Sequence, residues 1–173
     1  MLNKNKIIVP NNLIKIALKT PSVKSGIVCA HHKPSIESAK KAYEMGLIIP
    51  TFIGDKEIIK KEAKKLEWDI NDFDLIDKKS DLESANEGVS LASQKKIKIL
   101  IKGNIHTDIL MKLYLKKELG LVSNKRLSHI WHMSIKENDK PLFITDGALN
   151  VLPRLEVKIH ILKNAVDFIK KLG

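Results

Sequence analysis

Short apolar runs alternate with amphipathic stretches along most of the chain. Ile7, Ile8 and Val9 make an extended lead, and Leu13, Ile14, Ala17 and Leu18 recur at helical spacing over about 11–18, where Pro21 ends the helix. Ile27 to Cys29 reads as a short strand. Pro34 and Ser35 open a helix that runs through Met45 and is closed by Gly46. A second strand spans 48–53, and Gly54-Asp55 turns into a lysine-rich helix that ends near Leu66. Asp74 to Asp77 is a third strand. Ser80 and Glu83 have capping-box spacing, which starts a helix running to about Gln94.

The run Lys98-Ile-Leu-Ile-Lys-Gly-Asn-Ile-His-Thr107 organises the rest. Ile97, Ile99 and Ile101 alternate with lysines, Leu100 sits among them, and the run predicts a buried strand over 97–101. Gly103 and Asn104 break it, and Ile109, Leu110, Leu113 and Lys117 then fall at helical spacing from Ile105 and His106, up to Gly120. A strand, a short glycine turn and a helix follow one another. Gly103 permits close backbone approach or a positive φ. A helix start offers unpaired N–H groups and the positive end of the helix dipole to an anion such as phosphate, beside the side chains of His106 and Thr107. An ordinary β–α turn has the same pattern, because one glycine turn is not a specific signal.

The order β-α-β-α-β-α-β-α implies a parallel sheet with helices on both faces. After Gly120 the texture changes. Residues 127–135 and 141–146 read as an antiparallel hairpin around the polar turn 136–140, at the margin of the sheet or projecting from it. A last helix over about 154–172 puts Leu155, Ile159, Leu162, Ala165, Val166 and Ile169 on one face. A hairpin and one helix make a poor domain alone and must pack on something else.

Composition narrows the function classes. The 173 residues are 43% hydrophobic and 29% charged, as in globular domains, and the length suits about one domain. The formal net charge of +11 favours anionic partners, and it is nearly all lysine, with Arg126 and Arg154 the two arginines. Aromatic residues are 5% and are not interleaved with the lysines, so a base-stacking platform is not indicated and no nucleic-acid partner is expected. Lone Cys29 excludes an internal disulfide and fits a reducing cytoplasm. No apolar run is long enough to span a bilayer, and no membrane partner or signal peptide is expected. Adjacent His31 and His32 have no carboxylate or cysteine at ligand spacing, so no metal is expected.

Three segments together resemble the phosphate acetyl/butyryl transferase family, its phosphate butyryltransferase-like branch above all. They are Ile-Lys-Gly-Asn-Ile-His-Thr-Asp (101–108), Arg-Leu-Ser-His (126–129) and Phe-Ile-Thr-Asp-Gly-Ala-Leu-Asn (143–150). The likeness continues through 39–54 upstream and 153–173 downstream. It implies an α/β fold similar to isocitrate and isopropylmalate dehydrogenases, a parallel sheet with flanking helices, with the second domain incomplete. Residues 1–126 would be the amino-terminal domain and 127–173 the start of the second. It implies acyl transfer between coenzyme A and inorganic phosphate, with no permanently bound cofactor and no metal; coenzyme A is a substrate. Family chains continue well past the point matching Gly173, and the Ser, Arg and Asp usually given catalytic roles lie there. The catalytic groups are therefore expected beyond residue 173, and the chain looks like an amino-terminal half. The partners implied are acyl-CoA and inorganic phosphate, together with either a homo-oligomer or a separately encoded second half.

Acyl transfer needs anion donors, stabilisation of charge on the carbonyl oxygen, and a base for the thiol. Gly103, Asn104, His106 and Thr107 are candidates for phosphate or coenzyme A contacts. Arg126 suits a bidentate phosphate contact better than any lysine, and Ser128 and His129 follow it. Asp146 and Asn150 flank a Gly-Ala turn and join the set, although turn and cap chemistry uses the same residue types. Ordinary strand packing accounts for His132, and Cys29 reads as a core residue because nothing nearby in sequence lowers its pKa. Two other classes compete. One is a module that binds acyl-CoA or acyl phosphate without turnover. The other is a basic nucleic-acid binder, which charge alone supports.

Overall fold

The computed structural model describes residues 10–122, 125–134 and 140–172. The extended lead over residues 7–9 and the hairpin turn lie outside the described residues, apart from Lys140. The elements in chain order are α1 (Asn11–Ala17), β1 (Val23–Val28), α2 (Lys33–Glu44), β2 (Ile48–Gly54), α3 (Lys56–Lys65), β3 (Leu75–Asp77), α4 (Asp81–Ser93), β4 (Ile99–Lys102), α5 (Thr107–Tyr114), a 3-10 turn (Lys117–Leu119), β5 (Trp131–Met133), β6 (Leu142–Ile144) and α6 (Leu155–Leu172). The chain divides into two units, Thr20–Val122, and Ser123–Gly173 taken with Met1–Lys19.

The first unit is a four-stranded sheet of order β3-β2-β1-β4, parallel throughout. Alternation along the strands sends successive side chains to opposite faces. Val28, Ile53, Leu100 and Ile76 meet the α4 and α5 side, where Ala85, Val89, Leu110 and Leu113 are buried. Ile27, Phe52, Leu75 and Ile101 meet the α2 and α3 side, with Ile36, Ala39, Ile59 and Ala63. A parallel sheet covered on both faces is the architecture the alternating pattern predicts. Ser80 and Glu83 form the reciprocal capping box on α4 that their spacing implies, and Asp55 accepts from the N–H groups of Glu57 and Ile58 at the start of α3.

β1 differs from expectation. It starts at Val23, four residues before the apolar run, and ends at Val28. Pairing on both sides, with β2 and β4, recruits Ser25 and Gly26 into the sheet centre despite their weak strand character. Ser25 is fully buried and its hydroxyl donates to Val23 O at 2.9 Å. Cys29 leaves the strand with a left-handed φ of 54°. The helix after the glycine turn is also shorter than its apolar spacing suggests. α5 ends at Tyr114, and the 3-10 turn, closed by Gly120 at φ 65°, redirects the chain. Leu119 and Leu121 then pack on the core, and Ser93 Oγ donates to Leu119 O.

In the second unit, β5 and β6 form the expected antiparallel pair, with Trp131 opposite Ile144 and Met133 opposite Leu142. Both strands are three residues long, shorter than the apolar runs. Side chains bond the carbonyls that precede β5: Asn150 donates to Leu127 O, Asn164 to Arg126 O and Thr145 to His129 O. α6 buries Ile161 and Ala165 and leaves Leu155, Ile159, Leu162 and Val166 exposed.

Candidate functional site

The glycine turn sits at the carboxyl end of β4. In the order β3-β2-β1-β4, β1 has β2 on one side and β4 on the other, so the β1/β4 boundary is where strand order reverses and where open α/β sheets hold ligands. Gly103 N donates to Val28 O at 2.8 Å and Asn104 N to Cys29 O at 3.0 Å, so the turn is sewn to the end of β1. A Cβ on Gly103 would lie 2.5 Å from the carbonyl oxygens of Val28 and Cys29. The close approach that requires glycine is therefore to the protein's own backbone, and the positive φ allowed by the sequence is not adopted. Lys102 Nζ donates to Ile105 O at 2.7 Å and holds the turn closed.

Asn104, His106 and Thr107 are exposed at this end of the sheet. His106 is the N-cap residue of α5, and its side chain makes no capping hydrogen bond to the first turn. Asp108 stands in that same turn and pairs with Lys112 at 3.6 Å; its charge competes with any anion there.

The other candidates lie in the second unit, where hydrogen bonds knit them together. Arg126 Nε donates to Asn150 Oδ1 at 3.0 Å. Asn150 Nδ2 donates to Leu127 O at 2.9 Å and makes a short contact with Asp146 Oδ2. Asp146 Oδ1 accepts from the N–H groups of Ala148 and Leu149 at 3.1 and 3.0 Å, an Asx-type turn. Partial burial raises the Asp146 pKa, but the N–H groups of Leu149, Ala148 and His129 and the Asn150 amide outweigh it and hold the carboxyl below its ordinary value. Asn164 on α6 donates to Arg126 O and, at 2.9 Å, to Ser128 Oγ. His129 packs edge-on against Trp131, and its Nδ1 is buried without a hydrogen-bond partner among the described residues.

Asn164, Thr145 and Lys102 were not singled out from the sequence. An asparagine inside an otherwise amphipathic helix was the visible signal for the first; a strand-end threonine and one lysine among many gave none. The expected burial of Cys29 is found. Its thiol donates to Asp81 Oδ1 at 3.4 Å, and burial pushes its pKa up to about 12, away from nucleophilic use. His31 lies against Gly54, with its Nδ1 buried and unpartnered among the described residues, while His32 is the exposed N-cap residue of α2. His132 packs edge-on against Phe143, the ordinary strand role expected for it.

No family model matches the chain. Over 145 residues it is 36% identical to the phosphate acetyltransferase of Rickettsia felis, covering 84% of this chain and 42% of that protein. It is 31% identical over 156 residues to the phosphate butyryltransferase of Clostridium beijerinckii, covering 90% of this chain and 52% of that protein. A solved branched-chain phosphotransacylase from Enterococcus faecalis superposes with a TM-score of 0.72 at 27% identity, covering 87% of this chain and 52% of that one. The chain spans about half the length of the curated relatives it matches. Over most of its length the chain is thus similar to the amino-terminal half of phosphate acetyl- and butyryltransferases.

Proposed function

We propose that this chain supplies the amino-terminal part of a phosphate acyltransferase, which moves an acyl group between coenzyme A and inorganic phosphate. The observation that carries the reading is the similarity to acetyl- and butyryltransferases over most of the chain. In this reaction a phosphate oxygen attacks the thioester carbonyl, the carbon–sulfur bond breaks, and the thiolate of coenzyme A leaves and takes a proton.

Asn104, His106 and Thr107, with the first turn of α5 behind Gly103, donate to one anionic group. Arg126 offers its guanidinium to phosphate and is held by Asn150, which Asp146 orients in turn. Ser128 and His129 stand beside it. The base and the oxyanion donors come from the carboxy-terminal half of the family's length. Residues 127–173 open the second domain. Coenzyme A acts as substrate, with no permanently bound cofactor. Lone Cys29 supports a reducing cytoplasmic location; among the described residues no helix is long and apolar enough to cross a membrane.

A second reading, a binding fragment without turnover, draws on the same half-length match. Purified chain, alone and with the carboxy-terminal half of a relative, is assayed with butyryl-CoA or acetyl-CoA plus phosphate, and coenzyme A binding is followed by calorimetry. Turnover that appears only with both halves, and falls tenfold or more in Arg126→Ala, is the expected result. Coenzyme A binding with no turnover in either mixture favours the second reading, and neither binding nor turnover refutes both.

A further inference from the structure

α6 carries a polar residue where its pattern calls for an apolar one. Ile161 and Ala165 are buried, and Asn164 falls one turn after the first and next to the second, half-buried on the same side. Both protons of its amide nitrogen are used. Asn164 Nδ2 donates to Arg126 O at 2.6 Å and to Ser128 Oγ at 2.9 Å. Asn150, in the loop after β6, holds the same short segment: its Nδ2 donates to Leu127 O and its Oδ1 accepts from Arg126 Nε. Two neutral amides from separate elements thus fix residues 126–128, and neither brings a charge of its own to the guanidinium.

The groups these bonds leave unused define the chemistry. A serine hydroxyl has one hydrogen to donate and two lone pairs. Asn164 takes up a lone pair of Ser128, and among the described residues the hydroxyl has no other partner. Its hydrogen therefore turns away from the Asn164 N–H and stays free to donate. Arg126 commits Nε to Asn150, and its two terminal nitrogens have no partner among the described residues. A planar carboxylate is satisfied by two guanidinium N–H groups in one plane, whereas a tetrahedral phosphate presents further oxygens outside that plane, where a hydroxyl can donate. We propose that Asn164 is a positioning residue for phosphate: by bonding Ser128 Oγ and the Arg126 carbonyl, it presents the serine hydroxyl as a third donor beside the guanidinium and sets a preference for phosphate over carboxylate anions. The inference rests on the phosphate-binding role proposed for Arg126.

The test is titration of the isotope-labelled full chain with inorganic phosphate, and separately with acetate as the planar anion, followed by NMR. Loss of one hydrogen bond to a charged ligand lowers affinity about tenfold. Ser128→Ala and Asn164→Leu should each weaken phosphate binding by about that factor and leave acetate unchanged. The double variant should be no weaker than Ser128→Ala alone, because Asn164 acts through the hydroxyl. If Asn164→Leu does not fold, the parent decides: phosphate should shift the side-chain amide signals of Asn164, and Ser128→Ala should abolish that shift while Arg126 retains weaker binding. Phosphate affinity unchanged in Asn164→Leu, losses that multiply in the double variant, equal losses for phosphate and acetate, or Asn164 amide signals indifferent to phosphate would each overturn the proposal. A parent chain that binds no phosphate overturns it together with the phosphate role of Arg126, whereas a failure confined to Asn164 leaves the proposed function standing.

Discussion

Replacing Gly103 with alanine should destabilise the Thr20–Val122 unit by about 2–4 kcal/mol. The new methyl would meet the carbonyl oxygens of Val28 and Cys29 at 2.5 Å, and both are backbone atoms that cannot swing away. Overpacking of this kind costs about 1–3 kcal/mol. Moving β4 aside to relieve it stretches the bonds Gly103 N to Val28 O and Asn104 N to Cys29 O, each contributing about 1 kcal/mol. For a unit of this size, the shift in melting temperature is about 4–8 °C per kcal/mol. The assay is urea unfolding followed by fluorescence of Trp68, which packs against Tyr43, Phe52 and Phe73, in a Trp131→Phe background so that one indole reports. Asn104→Ala is the control. That side chain is exposed, so the change should stay within about 0.5 kcal/mol. A Gly103→Ala midpoint within the same 0.5 kcal/mol, with unchanged denaturant slope, would falsify the argument that glycine is required by close approach to β1. It also follows that ligand binding at this turn is best probed through Asn104 and Thr107, because any side chain at 103 disturbs the sheet first.

Two further predictions concern titration. The Asp146 pKa is lower folded than unfolded, so its contribution to stability is present above the ordinary aspartate value and is lost as pH falls through the depressed folded value. Acid titration of stability should therefore be flatter in Asp146→Asn than in the parent below about pH 4, and identical slopes would contradict the assignment. The Cys29 pKa is raised to about 12, so a disulfide exchange reagent at pH 8 should label one thiol per chain in denaturant and almost none in the native state. The stability it contributes is complete below the unfolded thiol pKa and declines as pH rises from there towards 12; rapid native labelling at pH 8 would overturn the burial argument.

What the sequence determined by itself was local. Periods of 2 and 3.6 in the apolar positions gave the identity and order of the elements, because burial of one face is written into adjacent residues. The capping box of Ser80 with Glu83 depends on residues three apart in the chain, and it too was legible. Tertiary structure decided what depends on distant partners. Ser25 and Gly26 join a strand because two neighbours pair with it, not because of their own propensity. Gly103 is a glycine because the backbone of Val28 and Cys29, distant in the chain, presses against it. Candidate residues at 126, 128, 146 and 150 could be picked from the chain by chemical type, but their connection through Asn150 and Asn164 could not. A side-chain amide that bonds across 23 to 38 residues leaves no periodic trace, and only folding brings its partners within reach.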